Sequence, residues 1–173
     1  MRTWQPPCWR LFFCVLCLYA APAAGQALPI DHLTPALPTL TERKVADVVS
    51  WLAVGTALAL DTWASAHADD KKRAFGLQGV RVGVTWASAA TVKKLVHRQR
   101  PCAPNNSCGS DQDDASFYSL HEAFTCQARG GPGKGLMVGL SIGTGLGRIL
   151  ANKHFLTDVA AGCGAGLLVS LLR

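Results

Sequence analysis

Charge is what this chain has least of. Only 16% of its 173 residues are Asp, Glu, Lys or Arg, against about 25% in an ordinary soluble domain. Hydrophobic residues reach 49% before glycine is counted. That balance excludes a disordered chain, which needs dense charge and little apolar surface. It also excludes a long coiled coil, whose outer heptad positions are charged. Nowhere do apolar and polar residues alternate with period two, so no sheet is expected. The one CxxC, Cys14 and Cys17, lies in the apolar N-terminal stretch, and beyond it no CxxC or Cys/His spacing suggests a zinc site. Asp111, Asp113 and Asp114 lack the glycine and distal glutamate of a calcium loop and read as a solvated turn. Seven cysteines are too few, at this length, for a small disulfide knot.

What remains fits one domain. The net charge is +6, but the basic residues do not form one block. This argues against nucleic acid as a partner. A phosphate-bearing substrate or an anionic membrane suits such a surface better.

Residues 1–25 read as a signal peptide or N-terminal anchor. Arg2 and Arg10 precede an apolar stretch from Leu11 to Ala21, then Pro22 and small residues up to Ala27. This is the order of a secretory signal, and cleavage is expected between Ala23 and Ala27. The apolar core is too short to cross about 30 Å of hydrocarbon. Residues 26–173 form the domain, in an exported protein that is periplasmic or associated with the inner membrane. In an oxidising compartment Cys102, Cys108, Cys126 and Cys163 allow three pairings. Cys102 and Cys108 share one polar loop and are the expected pair. Cys126 and Cys163 lie in apolar helices and are expected as buried thiols.

The domain reads as all-α, a compact bundle of about five helices. Thr39 and Glu42 have capping-box spacing and open a run to about Ala66. Further helices are expected over Ala74–His97, Ser119–Ala128, Gly135–Ala151 and Thr157–Leu172. Pro101 stops the second, and a polar loop runs from there to Asp114. Gly135, Gly139, Gly143 and Gly147 recur every four residues, as do Gly162 and Gly166. Such faces let another helix approach closely. Asp47 and Asp61 bracket 13 residues, Gly135 reaches Arg148 after 13, and Val159 to Leu172 is 14. A spanning helix needs about 20. These lengths favour a globular or membrane-associated bundle over full insertion.

Three clusters carry possible chemistry. Lys93 is followed by six residues and Arg100-Pro101. Seven residues are nearly two helical turns, so both cations share a face if the helix persists, and together they suit an oxyanion. Ser119 and His121 lie where a loop becomes a helix, and helix starts bind anions. Arg148, His154 and Asp158 form the third cluster. A carboxylate near a histidine fixes its tautomer. For Arg148 and His154 to face one site, the helix must break near Asn152, with Thr157 as the cap of a new start. His97 and Arg98, between motif residues, are expected at solvent or the site rim.

Taken together and in this order, these clusters resemble the phosphatidic acid phosphatase type 2 superfamily, which also contains the vanadium haloperoxidases. The family pattern is Lys-x6-Arg-Pro, then Pro-Ser-Gly-His, then Ser-Arg-x5-His-x3-Asp. Lys93, Arg100 and Pro101 complete the first part. Ser119 and His121 keep half of the second, with Tyr118 for proline and Leu120 for glycine. The third is complete apart from Gly147 in place of serine. The motifs fall within residues 93–158, and the resemblance covers about Ala74 to the C-terminus.

The resemblance implies a metal-independent phosphatase acting on phosphomonoesters, either a lipid phosphate or a small soluble ester. His154 would attack phosphorus and form a phosphohistidine. Asp158 would orient it, and His121 would protonate the leaving oxygen. Lys93, Arg100, Ser119, Leu120 and Arg148 would bind the phosphoryl group. No cofactor is implied, although vanadate could occupy the same site. The alternatives are a vanadate-dependent haloperoxidase and a degenerate protein that binds phosphate without turnover.

Overall fold

The computed structural model describes residues 30–31, 39–102, 114–128 and 134–172. The signal segment, Cys108, Asp111 and Asp113 lie outside the described residues. Among those described there are five helices and no strand. They are α1 (Leu40–Ala66), α2 (Lys71–Val96), α3 (Leu120–Gln127), α4 (Lys134–Leu150) and α5 (Leu156–Ser170).

Local chemistry sets the ends. The Thr39 amide donates to Glu42 Oε2 at 2.7 Å, and the Glu42 amide returns a bond to Thr39 Oγ1 at 3.3 Å. This reciprocal pair satisfies two donors that the first turn leaves open. Asp70 Oδ1 caps α2 by accepting from the Arg73 amide. At the other end of α2, His97 turns left-handed at φ 49°. The helix therefore stops three residues before Arg100, and Lys93 and Arg100 do not share one continuous helix face. The predicted break at Asn152 is present, with φ 56° there. Helix α5 starts one residue earlier than expected, with Phe155 and not Thr157 at its N-cap.

The principal pairings are α1 with α4 and α3 with α5, while α2 borders α1, α3 and α5. Glycine placement explains both pairings only in part. A Cβ on Gly147 would lie 2.8 Å from the Ala46 carbonyl oxygen and 2.9 Å from Ser50 Cβ, so α1 and α4 meet there. Gly135, Gly139 and Gly143 face open space, so the four-residue stripe of α4 is not a packing face along its length. On α5, Cβ atoms at Gly162 and Gly166 would run into the backbones of Ser119 and Ala123. That close approach also brings Cys126 within 5.1 Å (Cα–Cα) of Cys163, and the two form a disulfide. The expectation of free thiols there is wrong. An apolar helix buries thiols and disulfides alike, and the pairing depends on the α3–α5 approach. Cys102 is also disulfide-bonded.

The bundle has small and polar residues inside. Ala57, Ala89, Ala123, Ser50, Thr85, Gln127 and Asp158 are buried. Trp51, Leu52, Trp63, Trp86, Leu95, Val138, Ile142 and Leu167 are exposed. Asp47 and Asp61 do not end α1, as their use as brackets assumed. They sit within it and pair with Arg148 and Arg81. Its 27 residues make α1 long and apolar enough to cross a membrane. A bracketed length of 13 residues therefore does not describe α1.

Candidate active site

The site lies where the end of α2, the start of α3, the end of α4 and the start of α5 converge. His154 is 1% exposed. Its Nδ1 lies 2.7 Å from the Ser116 carbonyl oxygen. A carbonyl only accepts, so Nδ1 carries the proton and Nε2 presents a lone pair. Asp158 Oδ2 is 3.8 Å from Nδ1. The contact that orients the ring is thus a backbone carbonyl, with Asp158 behind it. Asp158 accepts from the Ser116 hydroxyl, from Arg98 and, at 2.9 Å, from the Phe155 amide. Burial pushes its carboxyl up, but His154, Ser116 and Arg98 outweigh this and hold it below the usual range.

Three cations face this pair. Burial and repulsion from Arg100 and Arg148 push Lys93 down to about 8. Burial lowers Arg148 to about 10, with Arg100 adding to the effect and Asp47 opposing it. His154 is lowered to about 4, mainly by burial, with Arg148 and Lys93 contributing and Asp158 opposing. At neutral pH the imidazole is therefore a neutral base, protonated at Nδ1 alone, among positive charges.

His121, on the first turn of α3, feels the same group. Burial and then Arg148, His154, Lys93 and Arg100 hold it far below the usual histidine range. Its Nε2 is buried and has no hydrogen-bond partner among the described residues, and the same is true of Arg148 Nε. The indole of Trp51 on α1 packs edge-on against the His121 ring, with centroids 4.1 Å apart.

The remaining predicted residues are placed differently. Ser119 is the N-cap of α3. Its hydroxyl lies 3.5 Å from the Glu122 amide, and its own amide donates to the Asp158 carbonyl at 3.0 Å. Its amide is therefore occupied, and not available as an anion donor. Leu120 packs on the small core of Ala89, Tyr118 and Ala123. With Trp86, Ala89, Ala90 and Lys93 it also lines a cleft of about 360 Å³. Tyr118 is buried and bonds Ser88 on α2 at 2.7 Å, a link that a proline could not make. Gly147 has no room for the family serine because α1 lies against it.

Arg98 departs from its expected place. It is not at the rim but 2% exposed, and its guanidinium reaches Asp158, Thr157 and Asp31. In sequence, His97-Arg98 looks like an ordinary basic helix end. The signal that could have found Arg98 is Asp158 itself, since a buried carboxylate needs a cation. Asp31 had no such signal. His97 is exposed, as expected, and pairs with Asp114 at 2.9 Å. Among the described residues one group has the make-up of a metal site, Glu122, Cys126 and Cys163, and its two sulfurs are joined to each other.

Comparison with family models, with curated proteins and with solved structures finds no match for this chain.

Proposed function

We propose that this chain is an exported phosphatase of the phosphatidic acid phosphatase type 2 kind, which hydrolyses phosphate monoesters through a phosphohistidine. The observation that carries this reading is the convergence of Lys93, Arg100 and Arg148 on two neutral histidines. A phosphoryl dianion relieves the mutual repulsion of those cations and strengthens every contact in a site with little water.

His154 Nε2 attacks phosphorus, and the bond from phosphorus to the leaving oxygen breaks as the P–N bond forms. His121 gives its proton to that oxygen. The bound dianion offsets most of the local positive charge and raises the affinity of His121 for a proton, which the cations alone suppress. Water then attacks the phosphohistidine, His121 takes its proton, and phosphate leaves. Lys93, Arg100 and Arg148 balance the charge on the phosphoryl oxygens throughout.

The leaving group is accommodated on apolar surface. Trp51 borders His121, and the cleft lined by Trp86 and Leu120 opens beside Lys93. With the exposed Val, Leu and Trp side chains of α1, this supports a membrane-associated protein acting on a lipid phosphate. The test is hydrolysis by wild type and His154→Ala across lipid phosphates in detergent and water-soluble esters. The reading predicts turnover by wild type alone, greatest on lipid. Preference for soluble esters would remove the lipid part. Phosphate binding without turnover, or halide oxidation after vanadate is added, would overturn the phosphatase itself.

A further inference from the structure

The nucleophile is held by a chain of bonds that begins outside the three sequence clusters. Asp31 lies ahead of α1, yet it is 2% exposed and bonded to the opposite end of the domain. Its Oδ2 accepts from Arg98 Nη2 at 2.6 Å, and its Oδ1 accepts from the Thr157 amide at 3.1 Å. The second contact supplies the cap that Phe155 cannot give to α5. The Thr157 hydroxyl lies 2.9 Å from Asp31 Oδ1 and accepts from Arg98 Nη1 at 2.8 Å.

Arg98 then grips Ser116 by two routes. Its guanidinium holds Asp158, which accepts from the Ser116 hydroxyl. Its own carbonyl accepts from the Ser116 amide at 2.9 Å. Ser116 is thereby fixed at side chain and backbone, and its carbonyl is the group that accepts the Nδ1 proton of His154. The Phe155 ring covers the guanidinium at 4.6 Å. Buried ion networks of this kind are often no more stable than apolar side chains of the same size. Orientation is the property that an apolar replacement would not supply.

We infer that Arg98, clamped by Asp31, is the positioning residue that sets the tautomer and aim of His154 through Ser116. The segment ahead of α1 is on this account a working part of the active site. The inference rests on the phosphatase reading for its kinetic consequence, but not for its effect on His154.

The experiment uses the full exported chain and the variants Asp31→Asn, Asp31→Glu and Arg98→Lys. Imidazole ¹⁵N NMR reports the His154 tautomer without turnover, and 4-nitrophenyl phosphate reports kcat and KM. Wild type should show His154 only as the Nδ1–H form. Asp31→Asn should give mixed tautomers and lower kcat by about 10–100-fold, the scale of a small misalignment at a reacting centre. KM and inhibition by inorganic phosphate should stay within about twofold, because the three cations are untouched. Asp31→Glu should recover part of the loss. Arg98→Lys keeps the charge without the fork and should behave like Asp31→Asn, which covers the case in which that variant does not fold. A single Nδ1–H form in both Asp31→Asn and Arg98→Lys would overturn the inference, as would kcat and KM changing together. A wild type inactive on every ester would defeat the phosphatase reading, while the NMR result would still decide whether Asp31 governs His154.

Discussion

The two walls of the site are built in opposite ways. Behind His154 the polar atoms are bonded to one another apart from Arg98 Nε, which is buried without a hydrogen-bond partner among the described residues. Asp158 alone accepts from Ser116, Arg98 and the Phe155 amide. In front, His121 Nε2 and Arg148 Nε are buried without a hydrogen-bond partner among the described residues, and Lys93, Arg100 and Arg148 repel one another. A wall whose carboxylates and hydroxyls are bonded to each other is already organised and gains little from a ligand. A wall with unspent donors and crowded cations gains most from an anion. On the proposed reading, one side holds the attacking atom and the other receives phosphate.

The strongest way to break this comparison is His154→Ala. It should reduce turnover to background on every ester, because it removes the proposed attacking atom. His121→Ala should cost about 10²–10⁴-fold on an alkyl phosphate, the usual worth of a general acid. On an aryl phosphate with an acidic phenol the His121 defect should shrink, while the His154 defect should not. Equal losses for both histidines on both esters would erase the division between the walls.

Gly147→Ser, which introduces the serine of the pattern the sequence resembles, tests how the front wall is hung. The added side chain meets Ala46 and Ser50 across the α1–α4 contact, next to the Arg148–Asp47 pair. Overpacking of this sort costs about 1–3 kcal/mol. Thermal unfolding should show the loss, and KM should rise more than kcat falls.

The smallest expected effect is in the pH profile. Lys93 is charged below about 8 and neutral above it. The profile of kcat/KM, which reports the free enzyme, should therefore fall above about pH 8. An acid limb should follow protonation of His154 near 4. Lys93→Arg should remove the alkaline limb and leave the acid one. An alkaline limb that persists in Lys93→Arg would place the titrating group elsewhere.

The helices and the Thr39 cap were legible because they are local, whereas the last helix is capped at Phe155 and not at Thr157. The Thr39–Glu42 box and the stop before Pro101 are written in neighbouring residues. The order Lys93, Arg100, His121, Arg148, His154, Asp158 was legible as a pattern, and the break at Asn152 followed from asking Arg148 and His154 to meet. Contacts made across the fold were not legible. Nothing near Arg98 indicates that it turns inward. Asp31 bonds residues 126 positions away. Cys126 and Cys163 pair because Gly162 and Gly166 bring α3 and α5 together, and either helix alone reads as a place for a free thiol. The glycines of α4 show the converse, since equal spacing gave one close contact and three open positions.

The central claim is that His154 Nε2 becomes bonded to phosphorus. Rapid acid-free quenching of wild type with ³²P-labelled 4-nitrophenyl phosphate, followed by peptide mapping, tests it directly. The account predicts an acid-labile, base-stable label on the peptide containing His154, present in His121→Ala and absent from His154→Ala. A label on any other residue, or steady turnover with no labelled protein in wild type and His121→Ala, would contradict it.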